Sequence, residues 1–177
     1  MHIVAFDIKN LVIRVGIENE LFTLNDRGFI IPASKIVIKD IIQDIIQRNI
    51  DIDLLQGLIY GIQWEPHPAQ LEIVTQPLDY RTVERAIRLA RRYIASVARR
   101  RRLKIYSGSI HPIQSNPFPI NGTHISISIR PKGKKGMPRK FLTYVHNNIR
   151  NHLPELIALT ANSPLIAGEH SGYMSSR

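Results

Sequence analysis

No cysteine occurs in the 177 residues, which excludes a disulfide scaffold, a thiolate metal site and a cysteine nucleophile. No apolar run approaches the roughly 20 residues that a membrane span needs, and no secretory signal pattern opens the chain. A cytoplasmic protein without a membrane partner is the expectation. Acidic residues nearly vanish from the second half. Residues 81–177 hold 3 Asp+Glu against 18 Lys+Arg, whereas residues 1–80 hold 11 against 6. Such asymmetry points to an anionic ligand, either nucleic acid or a phosphorylated small molecule. A solvated basic helix accounts for most of it equally well.

What is present is a globular composition, 44% hydrophobic, of a length that suits one domain over residues 1–177. Isoleucine is used heavily, a compositional hint of a thermophilic protein. Leu11–Leu24 alternates with period two and reads as a strand, with Ile13, Val15, Ile17 and Leu21 on one side and Glu18 and Glu20 on the other. Asn25–Gly28 signals a turn, after which Phe29–Pro32 reads as a short partner strand. Residues 33–48 suit an amphipathic helix with Ile38, Ile41, Ile42, Ile45 and Ile46 buried, although a short strand near Lys35–Ile38 is also compatible. Leu58–Trp64 and Gln70–Thr75 read as strands around the turn Glu65–Pro68.

Arg81–Arg102 is the clearest helix, with Val83, Ala86, Ile87, Ala90, Ile94, Val97 and Ala98 as its apolar stripe. Arg81, Arg85, Arg88, Arg92 and Arg99 form its outer row, without interleaved aromatics to make a stacking platform. The run Arg99–Arg102 suits a helix end, where cations complement the carbonyl dipole. Leu103–Ser107 then reads as a strand and Ser107–Gly122 as a Pro-rich loop. Thr123–Arg130 alternates strictly, Ile125, Ile127 and Ile129 inward and His124, Ser126 and Ser128 outward. Pro131–Lys135 is a basic loop, and Pro138–His152 and Pro154–Thr160 read as helices. The fold class expected is α+β, a mostly antiparallel sheet with helices on its isoleucine-rich face. The opposite face gathers Glu18 with Glu20, Gln70 with Glu72, and His124 with Ser126. Carboxylates with an imidazole make a poor core and a good cation site: glutamate oxygens suit Mg²⁺ or Mn²⁺, and the imidazole extends the choice towards Mn²⁺ and Zn²⁺. Solvent-facing strand residues are the plain alternative.

Five segments resemble the glutamate–cysteine ligase family 2, the carboxylate–amine ligases. LIALTANSPLIAGEHSGYMSSR at the C-terminus is the most specific. GIENELF (Gly16–Phe22) is similar to the family's Gly-Val-Glu-Glu-Glu-Phe strand, and EPHPAQLEIVTQP (Glu65–Pro77) to its strand with two glutamates followed by Thr-Pro. SGSIHP (Ser107–Pro112) resembles its Gly-Thr-His-Pro turn, and NGTHISISI (Asn121–Ile129) its Gly-Leu-His-Val-His-Val strand. The resemblance implies a glutamine-synthetase-like catalytic domain whose curved antiparallel sheet carries Mg²⁺ or Mn²⁺, with ATP and glutamate or a similar amino acid as substrates. A substrate carboxylate would be phosphorylated and an amine would attack the acyl phosphate, as in glutathione biosynthesis.

Carried over, the resemblance makes Glu18, Glu20, Glu65, Glu72 and His124 metal ligands and puts Asn121 and Gly122 at the amino-acid substrate. Arg130 and Lys132, with Lys134 and Lys135, lie just beyond the His124 strand, and their charge suits nucleotide phosphates. Ser126 stands where the family has a second histidine. The segments correspond to the N-terminal half of the family, which suggests a fragment, half of a split enzyme, or a shortened relative. A second subunit or homo-oligomer would then complete the site. The alternative from a different class is a non-catalytic module that binds nucleic acid or a partner subunit through its basic half.

Overall fold

The computed structural model describes residues 10–47, 57–108, 114, 121–133 and 139–154. They fall in two compact units, one of Val12–Ser128 and one combining Met1–Leu11 with Ile129–Arg177. Along the chain the elements are β1 (Leu11–Leu24), α1 (Ser34–Ile46), β2 (Ile59–Trp64), β3 (Gln70–Thr75), α2 (Tyr80–Arg100), β4 (Lys104–Tyr106), β5 (Thr123–Pro131) and α3 (Arg139–Asn151). The strands form one sheet in the order β2-β3-β1-β4, with β5 also on β1. β1 pairs antiparallel with β3 and β4, and β2 antiparallel with β3. The sheet is not a closed barrel, and the class is α+β as the alternation suggests.

β1 is long enough, at 14 residues, to hold two neighbours on one edge. Phe22–Leu24 takes β4, while nearer the N-terminus β5 runs against it in the opposite sense. Glu20 N–H donates to the Gly122 carbonyl (3.1 Å), His124 meets Glu18, and Gly16 lies against Ser126. Alternation then divides the sheet into two faces. Leu21, Leu71 and Ile73 turn towards α1 and α2 and join Val37, Ile38, Ile41, Ala86, Ile87, Ala90, Ile94 and Val97 in the core. Each valine, leucine or isoleucine among them contributes about 1.5–3 kcal/mol on burial, which makes this layer the rigid backing of the other face.

α2 buries all seven residues of its expected stripe. Asp79 caps its start, accepting from the backbone N–H groups of Arg81 (3.1 Å) and Thr82 (3.0 Å). Its end comes two residues earlier than the periodicity suggests. Leu103 N–H donates to the Ala98 carbonyl (3.0 Å), and Arg102 takes the left-handed conformation, φ 57°, that usually belongs to glycine at such a terminus.

Three expectations change. The buried side of α1 is Ser34, Val37, Ile38, Asp40, Ile41 and Asp44, while Ile42, Ile45 and Ile46 are exposed. Asp40 and Asp44 turn inward because Arg101 and Arg100 reach them, at 2.8 Å and 2.7 Å. Phe29–Pro32 makes only an isolated bridge, Leu24 to Ile30. Pro32 has no N–H to extend a ladder, and the Ile30 N–H goes instead to the Gln114 side chain (2.6 Å). On β5, Ile125 and Ile127 are exposed rather than buried. β5 lies beside the N-terminal part of β1, where Ile13 is exposed too.

In the other unit, α3 matches the expected helix closely and buries none of its residues. Among the described residues, no helix is long and apolar enough to cross a membrane. The expected helix at 154–160 beyond Pro154, most of the Pro-rich loop with His111, and Lys134 and Lys135 lie outside the described residues.

Candidate metal centre

The face of the sheet opposite α1 and α2 is built from three strands in register. Glu20 sits opposite Glu72 across β1 and β3, and Glu72 sits opposite Gln63 across β3 and β2. Partners in an antiparallel pair share a face, so these three side chains converge. Glu18 and His124 adjoin them on β1 and β5, the His124 Nδ1 to Glu18 Oε2 distance being 3.1 Å. Towards the C-terminal end of β1 the same face turns apolar, where Phe22, Leu24, Ile30 and Ala69 pack with Tyr106. The polar patch therefore has a dry border on one side.

Glu72 is buried, 6% exposed, and accepts from Gln63 Nε2 at 2.8 Å. Glu20 accepts from the Gly122 N–H at 2.7 Å and from Gln70 Nε2 at 3.4 Å. Gln70 in turn donates to Asn121 Oδ1 (2.9 Å). Asn121 Nδ2 donates to the carbonyls of Tyr106 and Gly108, both at 3.2 Å. Asn121 is thus buried and bonded inward, while Gly122 offers bare backbone beside the carboxylates. A Cβ there would meet His124 Nε2 at 3.4 Å and Glu20 Oε1 at 3.6 Å.

Glu65, at the turn between β2 and β3, also belongs to this patch. Burial is the main reason that its carboxyl titrates above the usual glutamate range, and the negative charges of Glu72 and Glu20, with a hydrogen bond to Glu72, push it further. Among the described residues, no lysine or arginine forms an ion pair with Glu18, Glu20, Glu65 or Glu72. Four carboxylates gathered here, partly desolvated and without a lysine or arginine partner among the described residues, repel one another. A divalent cation is the natural counter-charge.

The donor set fits one. Ligand atoms of Glu18, Glu72 and His124 all lie within 4.8 Å of one another. Bonds of about 2.1 Å around Mg²⁺ or Mn²⁺ would place adjacent ligands about 3.0 Å apart and opposite ones about 4.2 Å apart. The Glu18–His124 separation of 3.1 Å suits adjacent positions.

The structure thus brings together Glu18, Glu20, Glu72 and His124, which alternation placed on one face, with Glu65, Asn121 and Gly122, which only the resemblance had added. Arg130 and Lys132 belong to the other unit, where both side chains are exposed and the Lys132 N–H donates to the Asn10 carbonyl (2.8 Å). Gln63 is the member that patterning overlooks. Its place follows from the hairpin register, since counting outward from the turn sets it opposite Glu72.

Residues 119–177 match the model of the glutamate-cysteine ligase family 2, in agreement with the resemblance of the NGTHISISI and C-terminal segments. No curated protein matches the chain. Among solved structures, one described as "Apo GmaS without ligand" is similar, with TM-score 0.51 and 19% identity over 74% of this chain and 34% of that one. The chain therefore spans about a third of the length of that structure, and the likeness is one of fold, glutamine-synthetase-like.

Proposed function

We propose that the chain carries the cation-holding face of an ATP-dependent carboxylate–amine ligase of the glutamate–cysteine ligase type, read as one domain over residues 1–177. The observation that carries this reading is the convergence of Glu18, Glu20, Glu65, Glu72 and His124 on one sheet face, where no lysine or arginine among the described residues pairs with the carboxylates. It is supported by the family match over residues 119–177 and by the likeness in fold. Glu18, Glu72 and His124 would hold one Mg²⁺ or Mn²⁺, with Glu20 and Glu65 beside it for a second. A cation here would neutralise charge on the transferring phosphoryl group.

The substrate is glutamate or a similar amino acid. Its carboxylate takes the terminal phosphoryl group of ATP, and an amine then forms the C–N bond as phosphate leaves with the C–O electron pair and the nitrogen loses a proton. The backbone at Gly122 borders the substrate, Asn121 fixes that backbone, and the charge of Arg130 and Lys132 suits nucleotide phosphates. A second subunit or a second copy would complete the site, in the cytoplasm.

A second reading rests on α2. Arg81, Arg85, Arg88 and Arg92, with Glu84 and Leu89, line a shallow depression of about 280 Å³, a surface that suits the phosphates of nucleic acid.

Thermal unfolding of the whole chain with and without Mn²⁺ and ATP separates the two. At a hundredfold excess of ligand over its dissociation constant, linkage stabilises the fold by about 2.7 kcal/mol. The ligase reading expects this shift in the wild type and its loss in Glu20→Ala. A shift that is equal in both proteins and fades steeply with salt belongs to the arginine surface.

A further inference from the structure

Directly behind the acidic patch, on the helix side of β1, lies Asn19. It is 1% exposed and sits in the chain between Glu18 and Glu20. Its Nδ2 donates to Thr123 Oγ1 of β5 at 2.9 Å, and its Oδ1 accepts from Arg91 Nε of α2 at 2.9 Å. One amide thus joins a helix to two strands. The bond pattern has only one solution, because a guanidinium offers donors and no acceptor. Arg91 therefore commits the Asn19 oxygen to α2 and turns its NH₂ group to Thr123.

The placement of Arg91 carries a desolvation cost. The side chain is half-buried on the inner side of α2, burial pulls its guanidinium below the usual arginine range, and among the described residues it forms no ion pair. A leucine would avoid that cost but leave the buried Asn19 oxygen without a donor. What Arg91 provides is orientation. Side chains alternate along a strand, so holding residue 19 from behind fixes residues 18 and 20 in front, and holding residue 123 fixes residues 122 and 124. Those four are Glu18, Glu20, Gly122 and His124, the residues through which β1 and β5 meet on the acidic face.

We propose that Asn19, Arg91 and Thr123 are positioning residues that lock β5 against β1 in the register the cation site requires. The proposal rests on reading the acidic face as a cation site. It explains why a buried amide and a half-buried guanidinium meet behind β1, and it gives α2 a part in the site without any contact to it.

The test uses the whole chain with Mn²⁺ as probe. Thr123→Val keeps the shape of an exposed strand residue and removes the acceptor; Arg91→Leu removes the donor at a half-buried helix position; Thr123→Ser retains the hydroxyl. Mn²⁺ affinity is read by electron paramagnetic resonance. Amide hydrogen exchange is read at Glu20, bonded to Gly122, and at Thr23, bonded to Ala69. Thr123→Val and Arg91→Leu are expected to weaken Mn²⁺ binding about 10-fold or more and to speed exchange at Glu20 while Thr23 is unchanged. Thr123→Ser is expected to behave as wild type. Unchanged affinity or unchanged Glu20 exchange in both variants overturns the proposal. A wild type that takes up no Mn²⁺ sinks the cation reading itself, and any exchange response then marks a structural pin only.

Discussion

Glu65 shows how a single carboxyl reports on the whole patch. Burial raises its pKa first, and the charges of Glu72 and Glu20 add to that. A carboxyl raised in the folded state binds its proton more tightly there than in the unfolded chain. Its ionisation therefore destabilises the fold, beginning above the unfolded value near 4.3 and growing until pH passes the folded value. Glu65→Gln should consequently unfold at a higher temperature than wild type at pH 7 without cation, and the gap should close at about pH 4. Melting curves at both pH values check this. A variant less stable than wild type at pH 7 would mean that Glu65 is held by a favourable partner. Gln63 and Asn121 have the opposite character, as neutral amides that fix neighbouring groups without adding charge.

The helices brace the sheet through a pair of ionic contacts that composition alone does not disclose. Asp40 and Asp44 of α1 are buried, and their carboxyls are held below the usual aspartate range chiefly by hydrogen bonds from Arg101 and Arg100 respectively. A depressed carboxyl contributes stability above its unfolded value near 3.9, lost as pH falls through the folded value. Asp40→Asn should thus melt below wild type at pH 7, with the difference shrinking as pH falls from the unfolded value through the depressed folded one. A gap that persists in acid would assign the loss to packing instead. The basic run after Arg99 is therefore in part an α1–α2 clasp rather than a free patch.

This clasp also marks the limit of what patterning can read at this level. The bounds of β3 and the stripe of α2 are legible because a pure period, two or 3.6, runs through them uninterrupted. α1 departs because two aspartates outcompete Ile42 and Ile45 for the inward positions, a choice dictated by arginines some 60 residues away in sequence. Ile125 and Ile127 alternate as buried residues do, yet alternation says only that a face exists and not that anything covers it. That Glu18, Glu20, Glu72 and His124 share one face was legible from strand alternation, but only the resemblance set them apart from ordinary solvent-facing residues. Asn19 and Arg91 were not legible, since their roles lie in tertiary bonds that leave no period.

Across the whole molecule, the site residues on β1 and β3 come from the acidic half of the sequence, and His124 and Gly122 from the basic half. Folding brings the two together on one face, backed by an apolar layer that keeps the carboxylates in place while they repel. Electrostatic strain of this kind is relieved by a cation, so the account turns on whether one binds. The most direct measurement is a titration of the whole chain with Mn²⁺, followed by electron paramagnetic resonance, in wild type and in Glu72→Ala with circular dichroism to verify folding. Saturable uptake by the wild type, lost in a folded Glu72→Ala, is the expected result. Equal uptake by both proteins, or none by either, would contradict the account.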